Sequence, residues 1–112
     1  MGSFASRQVI LLPFPFSDLS ASKLRPALIL ADAGKGDWLL CQITSNPYAD
    51  SLAVELNNAD FAEGGLQRVS YARPGKLFTA HETLFQRVAG ILTPVPCQRV
   101  VDTIVGLLRK SV

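Results

Sequence analysis

The apolar residues in the first half of this chain come in short runs, at 8–14, 26–31, 38–45 and 52–56, punctuated by Pro, Gly, Asp or Asn. Runs this short and this closely fenced do not make helices; they read as strands. The segments at 68–72 and 87–93 continue the pattern. Pro13 marks the end of the first run, and the stretch at 33–37, with Gly34, Lys35 and Gly36, reads as a hairpin turn. A sheet of many short strands has edges to hide, and the simplest way to hide them is to curl into a small barrel.

Near the C-terminus the period changes. Val100, Val101, Ile104, Leu107 and Leu108 recur at helical spacing. Pro96 suits a first turn, and Arg109 and Lys110 suit the negative end of a helix dipole. The spacing predicts one helix over 97–110. Residues 57–61 could form one helical turn ended by Gly64 and Gly65, and Thr79 with Glu82 has the spacing of a capping box. The expected fold class is mostly β with a C-terminal helix, a single domain over 1–112, with 1–6 a flexible N-terminal segment.

Composition fits that picture. Hydrophobic residues make up 48% and charged residues 18% of the 112 positions, a globular balance. A chain of this length can bury a core without disulfides or a structural metal. Charge is uneven: residues 1–56 carry four Lys/Arg against five Asp/Glu, and residues 57–112 seven against four. The basic bias permits contact with nucleic acid, and it fits scattered solubilising charge equally well. Cys41 and Cys97 show no CxxC spacing and His81 is the single histidine, which argues against a zinc site. Cys41, in an apolar run, reads as a buried thiol in a reducing, cytoplasmic setting, although pairing with Cys97 stays open. No apolar run reaches membrane-spanning length, and the first residues lack the pattern of a secretory leader.

Several chemistries are missing. There is no GxxxxGK[ST] phosphate loop and no HExxH pair. Two segments hold more promise. In Lys23-Leu24-Arg25-Pro26-Ala27 an arginine stands where a small-residue loop, 17–24, meets a strand. In Ile43-Thr44-Ser45-Asn46 two hydroxyls and an amide stand where a strand opens into a loop. If these strands are hairpin neighbours, Arg25 and Thr44 lie at one end of the sheet. A guanidinium beside a hydroxyl can grip a phosphate through charge-assisted hydrogen bonds. The same residues also suit a plain loop arginine and a polar strand end.

These segments resemble the MazF/PemK-like toxins, the ribonuclease half of bacterial toxin–antitoxin pairs. The likeness runs through Val9-Ile10-Leu11-Leu12-Pro13-Phe14-Pro15-Phe16-Ser17-Asp18, Lys23 to Leu30, Cys41-Gln42-Ile43-Thr44-Ser45-Asn46, Gly65-Leu66, the late run ending Lys76-Leu77-Phe78-Thr79, and Gly90-Ile91-Leu92 before the final helix. The resemblance implies an SH3-like barrel of five or six strands and a homodimer. It implies sequence-selective, metal-free cleavage of single-stranded RNA, with no cofactor. It also implies control by a MazE-like antitoxin whose disordered tail lies across the dimer, with DNA met only through that complex and no membrane. In the family the arginine of the RPA segment and the threonine of the ITS segment carry catalysis, here Arg25 and Thr44. Candidate RNA contacts are Ser17, Asp18 and Lys23 before the second strand, Ser45, Asn46 and Tyr48 after the third, and Arg73 and Lys76 in the late segment. Phe14 and Phe16 could offer stacking faces or fill the barrel.

One departure stands out. Some relatives pair the late-strand arginine with an acid two positions on, and here Gly75 stands at that place after Arg73. The rival readings are a gyrase poison of the CcdB kind and a catalytically weak relative that only binds. The ending Arg109-Lys110-Ser111-Val112 lacks the aromatic and acidic finish expected of the former.

Overall fold

The computed structural model describes residues 4–13 and 23–112. Among them run seven strands and one α-helix: β1 (Gln8–Pro13), β2 (Leu24–Gly34), β3 (Asp37–Thr44), β4 (Val54–Leu56), β5 (Phe61–Gly64), β6 (Ser70–His81), β7 (Arg87–Leu92) and α1 (Pro94–Lys110). The strands form one antiparallel sheet in the order β4-β6-β3-β2-β1-β7-β5, curled into a nearly closed barrel. No helix of the described residues is long and apolar enough to cross a membrane.

The central strands are apolar on both faces because both faces are covered. Val9 and Ile10 are adjacent in β1, point to opposite sides, and are both fully buried. Val9, Leu28, Cys41 and Leu92 pack on one side, where Val100 and Ile104 of α1 close the cluster. Ile10, Leu12, Ala27, Ile29 and Leu40 pack on the other, with Phe4 and Phe85 over them. Phe4 belongs to the segment expected to be flexible, yet its ring meets that of Phe85 edge-on at 5.0 Å between centroids.

The β2–β3 hairpin turns where expected. Gly34, Lys35 and Gly36 all hold positive φ, which glycine enters at little cost. Trp38, at the start of β3, is pinned by its indole N–H donating to Glu82 Oε1 at 2.9 Å.

Several expectations need correction. The helix starts at Pro94, three residues early, because a proline is tolerated in a first turn. Thr93 precedes it but gives no side-chain cap; its hydroxyl donates to the Asp60 carbonyl at 3.2 Å instead. The turn at Asn58–Asp60 is real and carries a capping box between Asn57 and Asp60. It does not run to the glycines: Phe61 opens β5, which pairs with β7. Thr79 is not a cap, since it lies inside β6 opposite Leu39. His81 caps the turn Glu82–Leu84, its Nδ1 accepting from the Thr83 amide at 3.2 Å. Among the described residues the sheet has seven strands, where five or six were expected.

The longest irregularity falls in β6. Its ladder with β3 pairs Cys41 with Leu77, then Ile43 with Ala72. One residue of β3 therefore stands opposite Arg73, Pro74, Gly75 and Lys76, and this stretch bows away from the ladder.

Candidate functional site

The β2–β3 register pairs Ala27 with Gln42. Carried two residues further, it sets Arg25 across from Thr44 at the open end of the hairpin. Residues directly opposite share a face of the sheet. Both Arg25 and Thr44 line an open cavity of about 570 Å³.

Two further arginines enter the same cavity. Arg87 of β7 pairs with Leu11 of β1, and Leu11 pairs on its other side with Pro26, next to Arg25. By that register Arg87 shares a face with Pro26, while Arg25, opposite Leu12, leaves from the other face near the strand end; both nonetheless line the same cavity. Arg68, just before β6, lines another wall, and Lys23 stands at the mouth of β2. Lys23, Arg25, Arg68 and Arg87 thus converge on one space, and no carboxylate lies among its described lining residues. None of the four is in an ion pair among the described residues. Gathered like charge raises the local potential and draws in anions. Ser45 and Ser70 add hydroxyl groups to the wall.

Thr44 is held by its own loop. Its Oγ accepts from the Asn46 amide at 3.2 Å and lies 3.1 Å from the Asn46 carbonyl, to which it donates. The hydroxyl proton can turn to an incoming anion while the amide keeps the oxygen in place.

The structure divides the other candidates. Ser17 and Asp18 lie outside the described residues, as do Phe14 and Phe16. Asn46, Tyr48, Arg73 and Lys76 do not line the cavity. Asn46 shapes its loop, its Oδ1 accepting from the Tyr48 amide at 3.1 Å. Tyr48 is 74% exposed and holds φ of 51°. Lys76 stands exposed in the β6 bow. Arg73 is engaged: its Nε donates to Asp50 Oδ2 at 2.9 Å, with both side chains largely covered. That guanidinium beside Asp50 holds the carboxyl below its ordinary range, helped by the Leu52 amide. An acid does face Arg73, then, but it comes from the loop after β3 and not from position 75.

Arg68 and Arg87 were not singled out from sequence. The basic excess of the second half was their signal, but nothing in it says which cations face one cavity. Cys41 is no nucleophile here: burial pushes its thiol up to about 12, and it is fully enclosed. Cys97 is raised by burial too. Both cysteines are free thiols. Among the described residues no three His, Cys, Asp or Glu side chains cluster as a metal site would need.

No protein-family model matches this chain, and no curated protein matches it by sequence. The fold itself is well represented among solved structures, as a class of small β-barrels with a C-terminal helix. More narrowly, it is the MazF fold. The MazE–MazF complex from Deinococcus radiodurans superposes with a TM-score of 0.77 at 18% identity, over 96% of this chain and 97% of that one. The MazF-mt6 toxin of Mycobacterium tuberculosis gives 0.71 at 18% identity, over 92% and 97%. An endoribonuclease bound to its cognate antitoxin, from a mycobacterial species, gives 0.72 at 14% identity, over 96% and 95%.

Proposed function

We propose that this chain is a metal-independent endoribonuclease that cuts single-stranded RNA, acting as the toxin of a type II toxin–antitoxin pair. The observation that carries the reading is the convergence of Arg25, Thr44 and three more cations on one cavity without a carboxylate among its described lining residues. The likeness to structures named endoribonuclease and MazF supports it.

The chemistry follows from the charge. A ribose 2′-oxygen attacks the adjacent phosphorus as its proton departs. The P–O5′ bond breaks, leaving a 2′,3′-cyclic phosphate and a 5′-hydroxyl that takes up a proton. Negative charge builds on the non-bridging oxygens at the transition state, and a fixed guanidinium stabilises it most there. Arginine does not ordinarily give up its proton, so Arg25 acts by charge and hydrogen bonding. Thr44 orients the phosphate through its hydroxyl. In this reading positive charge that a metal could bring comes from side chains. Ser45 and Tyr48 offer contacts for the flanking nucleotides, Tyr48 by stacking. The partners in this reading are a second copy of the chain and a MazE-like antitoxin, in a bacterial cytoplasm.

The test is mixed-sequence RNA incubated with the purified chain in EDTA, beside Arg25→Ala. The parent should cut and leave cyclic phosphate ends. The variant should be slower by about 100- to 1,000-fold, the usual effect of losing one transition-state donor. Intact RNA with both proteins overturns the reading, and so would trapping of gyrase on DNA without RNA cleavage. Equal cutting by the variant removes Arg25 from the chemistry.

A further inference from the structure

Thr44 closes a ring. Its backbone pairs with Tyr71 of β6. Two residues past Tyr71, Arg73 donates to Asp50 at 2.9 Å. From Asp50 the chain runs back to Thr44 through the loop at 45–49, and the Asp50 amide donates to the Pro47 carbonyl at 2.9 Å on the way. The ring thus consists of one strand end, one loop, one ion pair and one short piece of β6.

The loop inside that ring is not relaxed on its own account. Tyr48 and Ala49 hold φ of 51° and 64°, a region that side-chain-bearing residues enter at a cost. Such a conformation persists only where its surroundings hold it. Three holds are visible: the bond from the Asp50 amide to the Pro47 carbonyl closes the turn over Tyr48 and Ala49, and two side chains add to it. Asn46 Oδ1 binds the Tyr48 amide, and Asp50 Oδ1 binds the Leu52 amide at 2.9 Å while its other oxygen takes the Arg73 guanidinium. The bow in β6 is what brings Arg73 out of ladder register at this point.

We infer that Asp50 and Arg73 are positioning residues, which fix the Thr44 hydroxyl through the loop they clamp. The inference rests on the ribonuclease reading for its activity readout only. It assigns Arg73 a role distinct from RNA contact, and it gives the acid missing at position 75 a replacement from another segment. A displacement of about 1 Å at a reacting group can cost up to about 100-fold in rate, so a modest clamp has kinetic weight.

The experiment compares Asp50→Asn, Arg73→Gln and Arg73→Lys in the full chain, with amide hydrogen exchange and RNA cleavage read on each. In Asp50→Asn the Asn46 and Tyr48 amides should exchange at least about 10-fold faster, while core amides such as Leu92 keep their protection and report an intact fold. Cleavage by Asp50→Asn and Arg73→Gln should fall about 10-fold in kcat, and Arg73→Lys should restore most of it. Adding Thr44→Ala to Asp50→Asn should cause no further loss beyond Thr44→Ala alone, because both act at one hydroxyl. Unchanged exchange at Asn46 overturns the clamp whether or not the protein cuts RNA. Fully multiplicative losses overturn its action through Thr44. A parent that leaves RNA intact sinks the ribonuclease reading alone, and the exchange data still decide the clamp.

Discussion

Arg87 of β7 sits opposite Leu11 of β1, one position from the residue that faces Arg25. Two arginines far apart in sequence thus flank one strand and share one cavity with Arg68. A polyanion bound in that cavity meets all three. If each holds one phosphate, Arg68→Ala and Arg87→Ala should each lower the slope of log affinity against log salt by about 0.7 for a single strand. Affinity should fall uniformly across sequences, since phosphate contacts carry no base information. Filter binding of a non-cleavable oligonucleotide at several salt concentrations reads this directly. An unchanged slope in both variants removes them from the binding path.

Asp50 gives a prediction for acid. Its folded-state pKa lies below its ordinary 3.8 because the Arg73 guanidinium and the Leu52 amide favour the charged form. The stabilisation is therefore fully present above the unfolded-state value and is lost as pH falls through the lower, folded-state value. At pH 7 Asp50→Asn should be less stable by up to about 1.5 kcal/mol, the low end for a hydrogen bond to a charged group because this pair is partly screened by solvent. As pH falls through the lowered, folded-state value, the gap between variant and parent should narrow. Urea midpoints from pH 7 down to pH 2 test it, and a gap that widens with acid contradicts the sign.

Gly90 and Gly106 should respond oppositely to alanine. A Cβ on Gly90 would meet the Glu63 carbonyl oxygen and the Gly65 nitrogen at 2.8 Å, both of them backbone atoms that cannot swing aside. A Cβ on Gly106, in α1, meets nothing within 4 Å. Gly90→Ala should cost about 1–3 kcal/mol through overpacking. Gly106→Ala should gain about 0.5–1 kcal/mol through helix propensity. Thermal unfolding of the two variants beside the parent is sufficient, and a stabilised Gly90→Ala would mean that β5 and β7 can part more easily than their pairing indicates.

Much of the sheet was legible in the sequence because its central strands are apolar on both faces and Pro, Gly or Asp stands at several of their ends, as at Pro13, Gly34 and Asp37. Residues 38–45 and 87–93 nearly coincide with β3 and β7. β5 was missed because Phe61–Gly64 is mostly exposed and shows neither a run nor an alternation. β6 was read as five residues and has twelve, since Pro74 and Gly75 look like a strand end but sit in a bow within one. In the cavity, Arg25 and Thr44 could be placed together because one hairpin carries both. Arg68 and Arg87 could not, since their approach depends on β7 returning to pair with β1, and no local pattern encodes that return. Arg73 was read as an RNA contact, and its ion pair was missed, for the same reason. Its partner Asp50 lies 23 positions away, in a loop whose shape sequence does not give.

The strand order has one last consequence. The sheet begins and ends with β4 and β5, of three and four residues. A longer open border would be a template on which another chain could add its own backbone, copy upon copy. The outermost strands themselves, one pairing with Ser70–Ala72 of β6 and the other with Gly90–Leu92 of β7, offer few amides and carbonyls to such growth. Among the described residues, the long, doubly apolar strands at the centre are thus kept away from the two outermost positions, where a strand of the same length and character would be the better template for fibrous self-assembly.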